Sequence, residues 1–232
     1  MELNAIAKKA RTFPPKDEFD TAPAQTSVAG RRFKIEVPPW GSNTPPIACF
    51  GYPMWSYESA SRTLFVSTGA YDLQLDTFST RQGEVSKKPV HDIWGEKVQL
   101  FASDCARSDL PRYTASNAYG AEYRIAPTLQ TITAIADALP KGLEWPDSFQ
   151  LQISGKEARS LLPNLRVRFT GILEDWKAGV SAACGSRHDG PTAASPYDRR
   201  LKACLFNGYI DRIELVDVRS GSVLKSFVRP DK

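Results

Sequence analysis

Residues 149–173, FQLQISGKEARSLLPNLRVRFTGIL, read as strand, short capped helix and strand. In the last part Leu165, Val167, Phe169 and Gly171 fall on one face, with Arg166, Arg168 and Thr170 on the other. That two-residue period marks a strand with one buried and one wet face. Ser154 and Glu157 have the S-x-x-E spacing of a capping box. There the serine oxygen accepts from an orphan helix amide, and the glutamate reaches back to the cap amide. Pro163 ends the helix, because proline disfavours helical geometry in the residue before it. All of this specifies architecture and none of it specifies chemistry.

Working outward, the other segments are short and punctuated. Seventeen prolines and fifteen glycines in 232 residues favour short strands and turns over long helices. Residues 33–37 read as a strand stopped by Pro38 and Pro39. Residues 54–57 and 63–67 flank the polar turn ESAS as a hairpin. Residues 98–102 and 119–125 read as strands, and residues 204–218 and 222–228 as a hairpin turning on Arg219, Ser220 and Gly221. Residues 129–139, LQTITAIADAL, fit a helix by apolar spacing and a strand by their Thr and Ile content. No firm element is assigned to 68–96, and residues 177–202 read as a long loop rich in Gly, Ala, Ser and Pro. Residues 1–30 are expected to be a helical arm, with Leu3, Ile6, Ala7 and Ala10 on one face of 2–11 and a weak second helix at 21–29. Residues 31–232 then form a single β-rich domain. The expected class is α+β: an antiparallel sandwich or open barrel with two or three short peripheral helices.

The apolar and charged fractions, 41% and 24%, are those of an ordinary globular protein. The net charge is only +4 and the basic residues are scattered, so charge alone does not argue for a nucleic acid or anionic membrane partner. No run approaches the ~18 apolar residues of a membrane span. The opening MELNAIAKKA lacks the basic start and apolar block of a secretory signal, which taken literally places the chain in the cytosol. A signal replaced by a starting methionine would read the same way.

The cysteines lean towards export. Cys49, Cys105, Cys184 and Cys204 are well separated, with no C-x-x-C pair. An even count without metal spacing suits two disulfides in an oxidising compartment, and four cysteines allow three pairings. The preferred pairing joins Cys184 to Cys204, around the Gly- and Pro-rich loop, and Cys49 to Cys105. Closing the first loop stabilises by roughly 3 kcal/mol on the chain-entropy model. The alternative is four buried thiols in a cytosolic protein.

Four pieces carry a resemblance. KDEFDTAPAQTSVAGR (16–31), NAYGAEYRI (117–125), KEARSLLPNLRVRFTGIL (156–173) and DVRSGSVL (217–224) occur in this order. Together they resemble an uncharacterised group of bacterial exported proteins, with its K-D-x-F-E-T opening, N-A-F-G strand and C-terminal D-x-x-T-G hairpin. Asp20 stands where that group has Glu, and Tyr119 where it has Phe. The resemblance implies a β-rich periplasmic or secreted protein of uncharacterised role, and it brings no catalytic residues.

Cys184, His188 and Asp189 are the right types for a nucleophile, its base and an orienting acid. With Cys204 they also contain zinc-type ligands, although only one close pair exists. His91 with Asp92, near Trp94, reads as a surface pair. Glu174 and Asp175 beside Trp176, and Asp72 with Asp76 near Tyr71, are the carboxylate pairs a glycosidase would need. Neither phosphate-loop pattern occurs. Arg166, Arg168, Arg199, Arg200 and Lys202, with Trp176, Tyr197 and Tyr209, suggest the basic, stacking groove of an OB-like barrel. The aromatic stretch around Trp40, Phe50, Tyr52, Trp55 and Tyr57 is the candidate protein-binding surface, since aromatics are enriched at hot spots.

The leading expectation is a non-catalytic envelope protein that binds another protein or an envelope component, with no catalytic residue, metal or cofactor assigned and nucleic acid unlikely as a partner. The alternatives are an enzyme acting on an envelope polymer and an OB-like binder of single-stranded nucleic acid.

Overall fold

The computed structural model describes residues 28–41, 49–72, 97–116, 119–139, 143–175, 182–191 and 197–230. The first half of the chain supplies β1 (Arg32–Val37), β2 (Trp40–Gly41), β3 (Met54–Glu58), β4 (Thr63–Ser67), β5 (Tyr71–Asp72), β6 (Lys97–Asp109) and β7 (Tyr113–Ser116). The second half supplies β8 (Glu122–Ile125), β9 (Thr128–Leu139), β10 (Ser148–Gln152), β11 (Leu165–Glu174), β12 (Ala183–Asp189), β13 (Arg199–Asp217) and β14 (Ser222–Val228). Between β10 and β11 lie helix α1 (Gly155–Leu161) and a 3-10 turn at Leu162–Asn164. The class is the expected β-rich one. Among the described residues α1 is the one α-helix, and the arm expected at 1–30 lies outside them except for its last three residues.

The organising stretch forms as its pattern requires. Along β11 every second residue from Leu165 to Leu173 is buried, and the arginines between them are half-exposed. Ser154 accepts from the Glu157 amide at 3.3 Å, and the Glu157 carboxylate accepts from the Ser154 amide at 2.7 Å. Both halves of the capping box are therefore made.

The longest strand, β13, is the axis of the larger sheet, whose order is β1-β11-β13-β9-β6-β5. Its first half lies between parallel β9 and antiparallel β12; its second half lies between antiparallel β11 and β14. A smaller sheet, β10-β4-β3-β2, packs across it, with Phe149 of β10 stacked on Phe227 of β14 at 4.6 Å. Phe101 and Phe169 meet in the core at 5.4 Å, among fully buried Phe206, Ile135, Ile210 and Leu215. These sheets do not close into a barrel.

Two places on β13 are specialised. At Thr170/Gly171 the register with β11 slips by a bulge, and the Phe33 ring fills space left by Gly171 and Gly208. Where β9 leaves β13 and β14 takes its place, a buried ion pair forms. There Arg229 donates to Asp137 at 2.9 Å and to the Ile210 and Ala138 carbonyls at 3.1 Å each. Trp145 Nε1 donates to the other Asp137 oxygen at 2.9 Å, and the Arg229 guanidinium lies 4.0 Å over the Tyr209 ring.

The structure corrects several sequence expectations. Residues 129–139 are strand, and their apolar run arises because β9 is buried on both faces from Ile132 to Asp137. The expected loop at 177–202 contains all of β12 and the start of β13. The strand expected at 119–125 begins only at Glu122, because Gly120 takes a turn conformation at φ +79°. Within 68–96, Tyr71–Asp72 pairs with β6.

Candidate functional site

Beyond the core, β6, β9, β13 and β12 run on as a four-stranded extension in that order. The β7–β8 hairpin is inserted at its end, between β6 and β9. The extension has little interior of its own: residues 106–109 are exposed and 128–131 only half-buried. Two disulfides lie at its root. Cys184 and Cys204 are bonded across directly opposed positions of β12 and β13, and Cys49 is bonded to Cys105 of β6. Cys105 and Cys204 pair with the adjacent β9 residues Ile132 and Thr133, so both crosslinks act at one level of the sheet. Both preferred pairings are present in the structure.

Towards the tip, Asp198 ties three segments together. Its carboxylate has no exposed surface and accepts from His188 Nε2 at 2.8 Å, Tyr113 Oη at 3.1 Å and Arg200 Nη2 at 3.2 Å. Its backbone oxygen accepts from the Thr128 amide at 2.9 Å. Burial pushes the Asp198 carboxyl up, but the donors from Arg200, His188 and Tyr113 outweigh burial and hold it below its ordinary value. Tyr113 is pushed the other way, by desolvation and by donating to that carboxylate. His188 is 56% exposed.

The surface around this knot is rich in two residue types. Of five exposed tyrosines among the described residues, Tyr113, Tyr119, Tyr123 and Tyr197 are here, Tyr119 being 95% exposed and Tyr197 59%. Arg107, Arg112, Arg124, Arg199 and Arg200 are exposed beside them, and Lys202 is the one lysine among the described residues of the extension. The Arg199 guanidinium lies 5.5 Å from the Tyr197 ring centroid.

Cys184 and Cys204 are disulfide-bonded, which removes both the thiol nucleophile and the thiolate ligands. His188 does take an acid, but Asp198 rather than the adjacent Asp189. No group of metal-ligating side chains converges among the described residues. Asp175 accepts from the Val28 amide, Glu174 from Asn207 and Asp72 from Gln99, so these carboxylates tie loops and strands. Asp76, His91, Asp92, Trp94 and Trp176 lie outside the described residues. Arg168 is held between Glu36 and Glu214, Arg166 donates to the Pro163 and Leu165 carbonyls, and Tyr209 lies under Arg229; they form no continuous basic groove.

In the aromatic stretch, Trp40 stacks on buried Tyr52 at 3.8 Å, and the Tyr57 hydroxyl donates to the Ile153 carbonyl. Burial pushes the Tyr52 hydroxyl up to about 12. Trp55 is half-buried, in contact distance of the position a Gly41 side chain would occupy. Phe50 alone of the five is largely exposed, with its ring 4.8 Å from that of Tyr71. Tyr52 belongs to the hydrophobic core, and Trp40, Trp55 and Tyr57 pack against it.

Fold and site together define a disulfide-crosslinked β-protein, with three sheets among the described residues and a tyrosine- and arginine-rich extension. Comparisons with known protein families, curated proteins and solved structures find no match to this chain.

Proposed function

We propose that this is an exported, non-catalytic protein that works by binding a protein partner through the tip of its extension. The observation that carries the reading is the gathering of Tyr113, Tyr119, Tyr123 and Tyr197 with five arginines at that tip. Binding hot spots are enriched in Tyr and Arg, whereas lysine is depleted at interfaces. The Asp198 knot and the disulfides at the root support the reading further. They order the surface before binding, and that lowers the entropy lost on association.

Export is supported by the two disulfides, which persist in oxidising compartments, and by the resemblance to a group of exported proteins. Among the described residues no helix is long and apolar enough to cross a membrane. Protein isolated from its native host and alkylated without reduction is expected to show no modified cysteine by intact mass, and four after reduction. Four modified cysteines before reduction would remove the export argument.

The binding surface is tested by placing a photo-crosslinking residue at Tyr119 or Tyr197 in the native host, with Val223, exposed on β14, as the control. A discrete crosslinked species from the tip positions and none from Val223 is expected. Equal labelling at all three, or none, would refute the surface.

A second reading, an enzyme acting on an envelope polymer, draws on His188. An exposed imidazole oriented by a buried carboxylate is the arrangement a general base needs. On that reading His188→Gln would abolish turnover of the polymer in a variant that thermal unfolding shows to be folded.

A further inference from the structure

We propose a second binding site, independent of the extension: a cleft for a phosphate-type oxoanion on the outer face of β1, β11 and β13. Lys34, Thr170, Arg212 and Val228 lie in register across β1, β11, β13 and β14. Thr170 pairs with Arg212, and Gly171 with Ile210, so β13 carries Asp211 as one extra residue. An extra residue in one strand re-aims the side chains around it. Here Asp211 and Arg212 both line the same cleft, about 560 Å³ in volume, with Arg32, Lys34, Thr170 and Val228. The site is more than ten residues along β13 from Arg200, so it does not depend on the tip.

The charges around the cleft do not balance. Asp211 is occupied by Arg32 at 2.7 Å and by the Thr170 hydroxyl at 2.8 Å. Glu36 and Glu214 are both held by half-buried Arg168, at 2.9 and 3.2 Å. Lys34 and Arg212 reach those same carboxylates only at 3.4 and 3.5 Å. Among the described residues, four cations thus share these three acids, a surplus of one positive charge.

The two loosely held cations are 60% and 51% exposed. Exposed ion pairs of that kind contribute little, so exchanging a carboxylate for an incoming oxoanion costs little. The guanidinium of Arg212 supplies a planar fork that matches phosphate, and Lys34 supplies a point charge. Arg32, held by Asp211, lines the same cleft.

The chemistry is shared by free phosphate and by a phosphodiester lipid headgroup, and two probes separate them. Inorganic phosphate is titrated at low ionic strength while backbone amide resonances are followed, and phosphatidylglycerol vesicles are tested by co-flotation. Shifts confined to β1, β11 and β13 are expected. Arg212→Gln should weaken binding at least about tenfold, the effect of one lost charge-assisted contact. Arg219→Gln, in the exposed β13–β14 turn, should leave binding unchanged. Lys34→Gln is the second variant, and thermal unfolding checks that each variant folds.

Phosphate shifts without vesicle binding would point to a soluble ligand; vesicle binding lost in the same variants would point to a headgroup. No binding of either probe, or binding the variants retain, would overturn the proposal. Tip crosslinking should be unaffected by any of these changes, so the two surfaces fail separately.

Discussion

Gly171→Ala is expected to lower stability by more than about 4 kcal/mol, or to prevent folding altogether. Most single substitutions cost about 1 kcal/mol, and larger losses need a named mechanism. Here it is steric. A Cβ at residue 171 would overlap the Tyr209 carbonyl oxygen, approach the Phe33 ring to 2.8 Å and come within 3.0 Å of Ile210 Cα. Two of those three neighbours are backbone of β13, the axis of the sheet, so no rotamer change relieves the overlap. The bulge would have to open, and it positions both Asp211 and the Phe33 contact. Gly208→Ala is the built-in comparison. Its Cβ would meet the tip of the Ile135 side chain at 2.8 Å and Phe33 at 3.4 Å. Side chains can give way, so about 1–3 kcal/mol is expected there. Urea unfolding of both variants decides the matter, and equal midpoints for Gly171→Ala and the parent would refute the argument.

Much of this frame was legible because it rests on local rules. The alternation of residues 165–173, the capping box at Ser154 and Glu157, and the turn at Gly221 each depend on neighbours within a few positions. The Gly- and Pro-rich loop between Cys184 and Cys204 favoured their pairing, and Cys49 with Cys105 is the pair that remains. What was not legible depends on partners far along the chain. Strand β9 loses its alternation because strands on both edges and layers on both faces bury it, and no window of its own sequence records that. β12 is composed like a loop, and pairing with β13 together with a crosslink makes it a strand. The Asp198 knot brings Tyr113 onto an acid 85 residues away and His188 onto one ten residues away. In the sequence His188 stands beside Asp189, and nothing local points to Asp198 as its partner. Exposure could not be read either: Trp40 and Tyr52 look like a surface patch in a Pro-rich stretch, and they stack inward.

The Arg229–Asp137 pair gives the other large expected effect, and its pH dependence distinguishes electrostatics from packing. Both side chains are essentially inaccessible. Removing one partner of a buried pair leaves the other charge uncompensated, at about 3–5 kcal/mol. Arg229→Met keeps much of the volume and the contact with Tyr209, so the loss near pH 7 should be in that range. Burial pushes the Asp137 carboxyl up to about 6, against the lowering effects of Trp145 and Arg229. An unfolded aspartate titrates near 3.9. Between those values the folded chain binds the extra proton, so this group's contribution to stability is greatest at low pH and is lost as pH rises from about 4 to about 6. Deleting Arg229 removes a lowering influence and moves the folded carboxyl higher still. Below about pH 5 the carboxyl is then neutral with or without the arginine, and the difference due to its ionisation vanishes. The cost of Arg229→Met should therefore be larger at pH 7.5 than at pH 5. Asp137→Asn/Arg229→Met, which keeps an acceptor for Trp145, should cost less than the sum of the two single changes. Chemical denaturation at the two pH values measures all of this. A cost independent of pH, with additive single variants, would mean that Arg229 acts by packing alone.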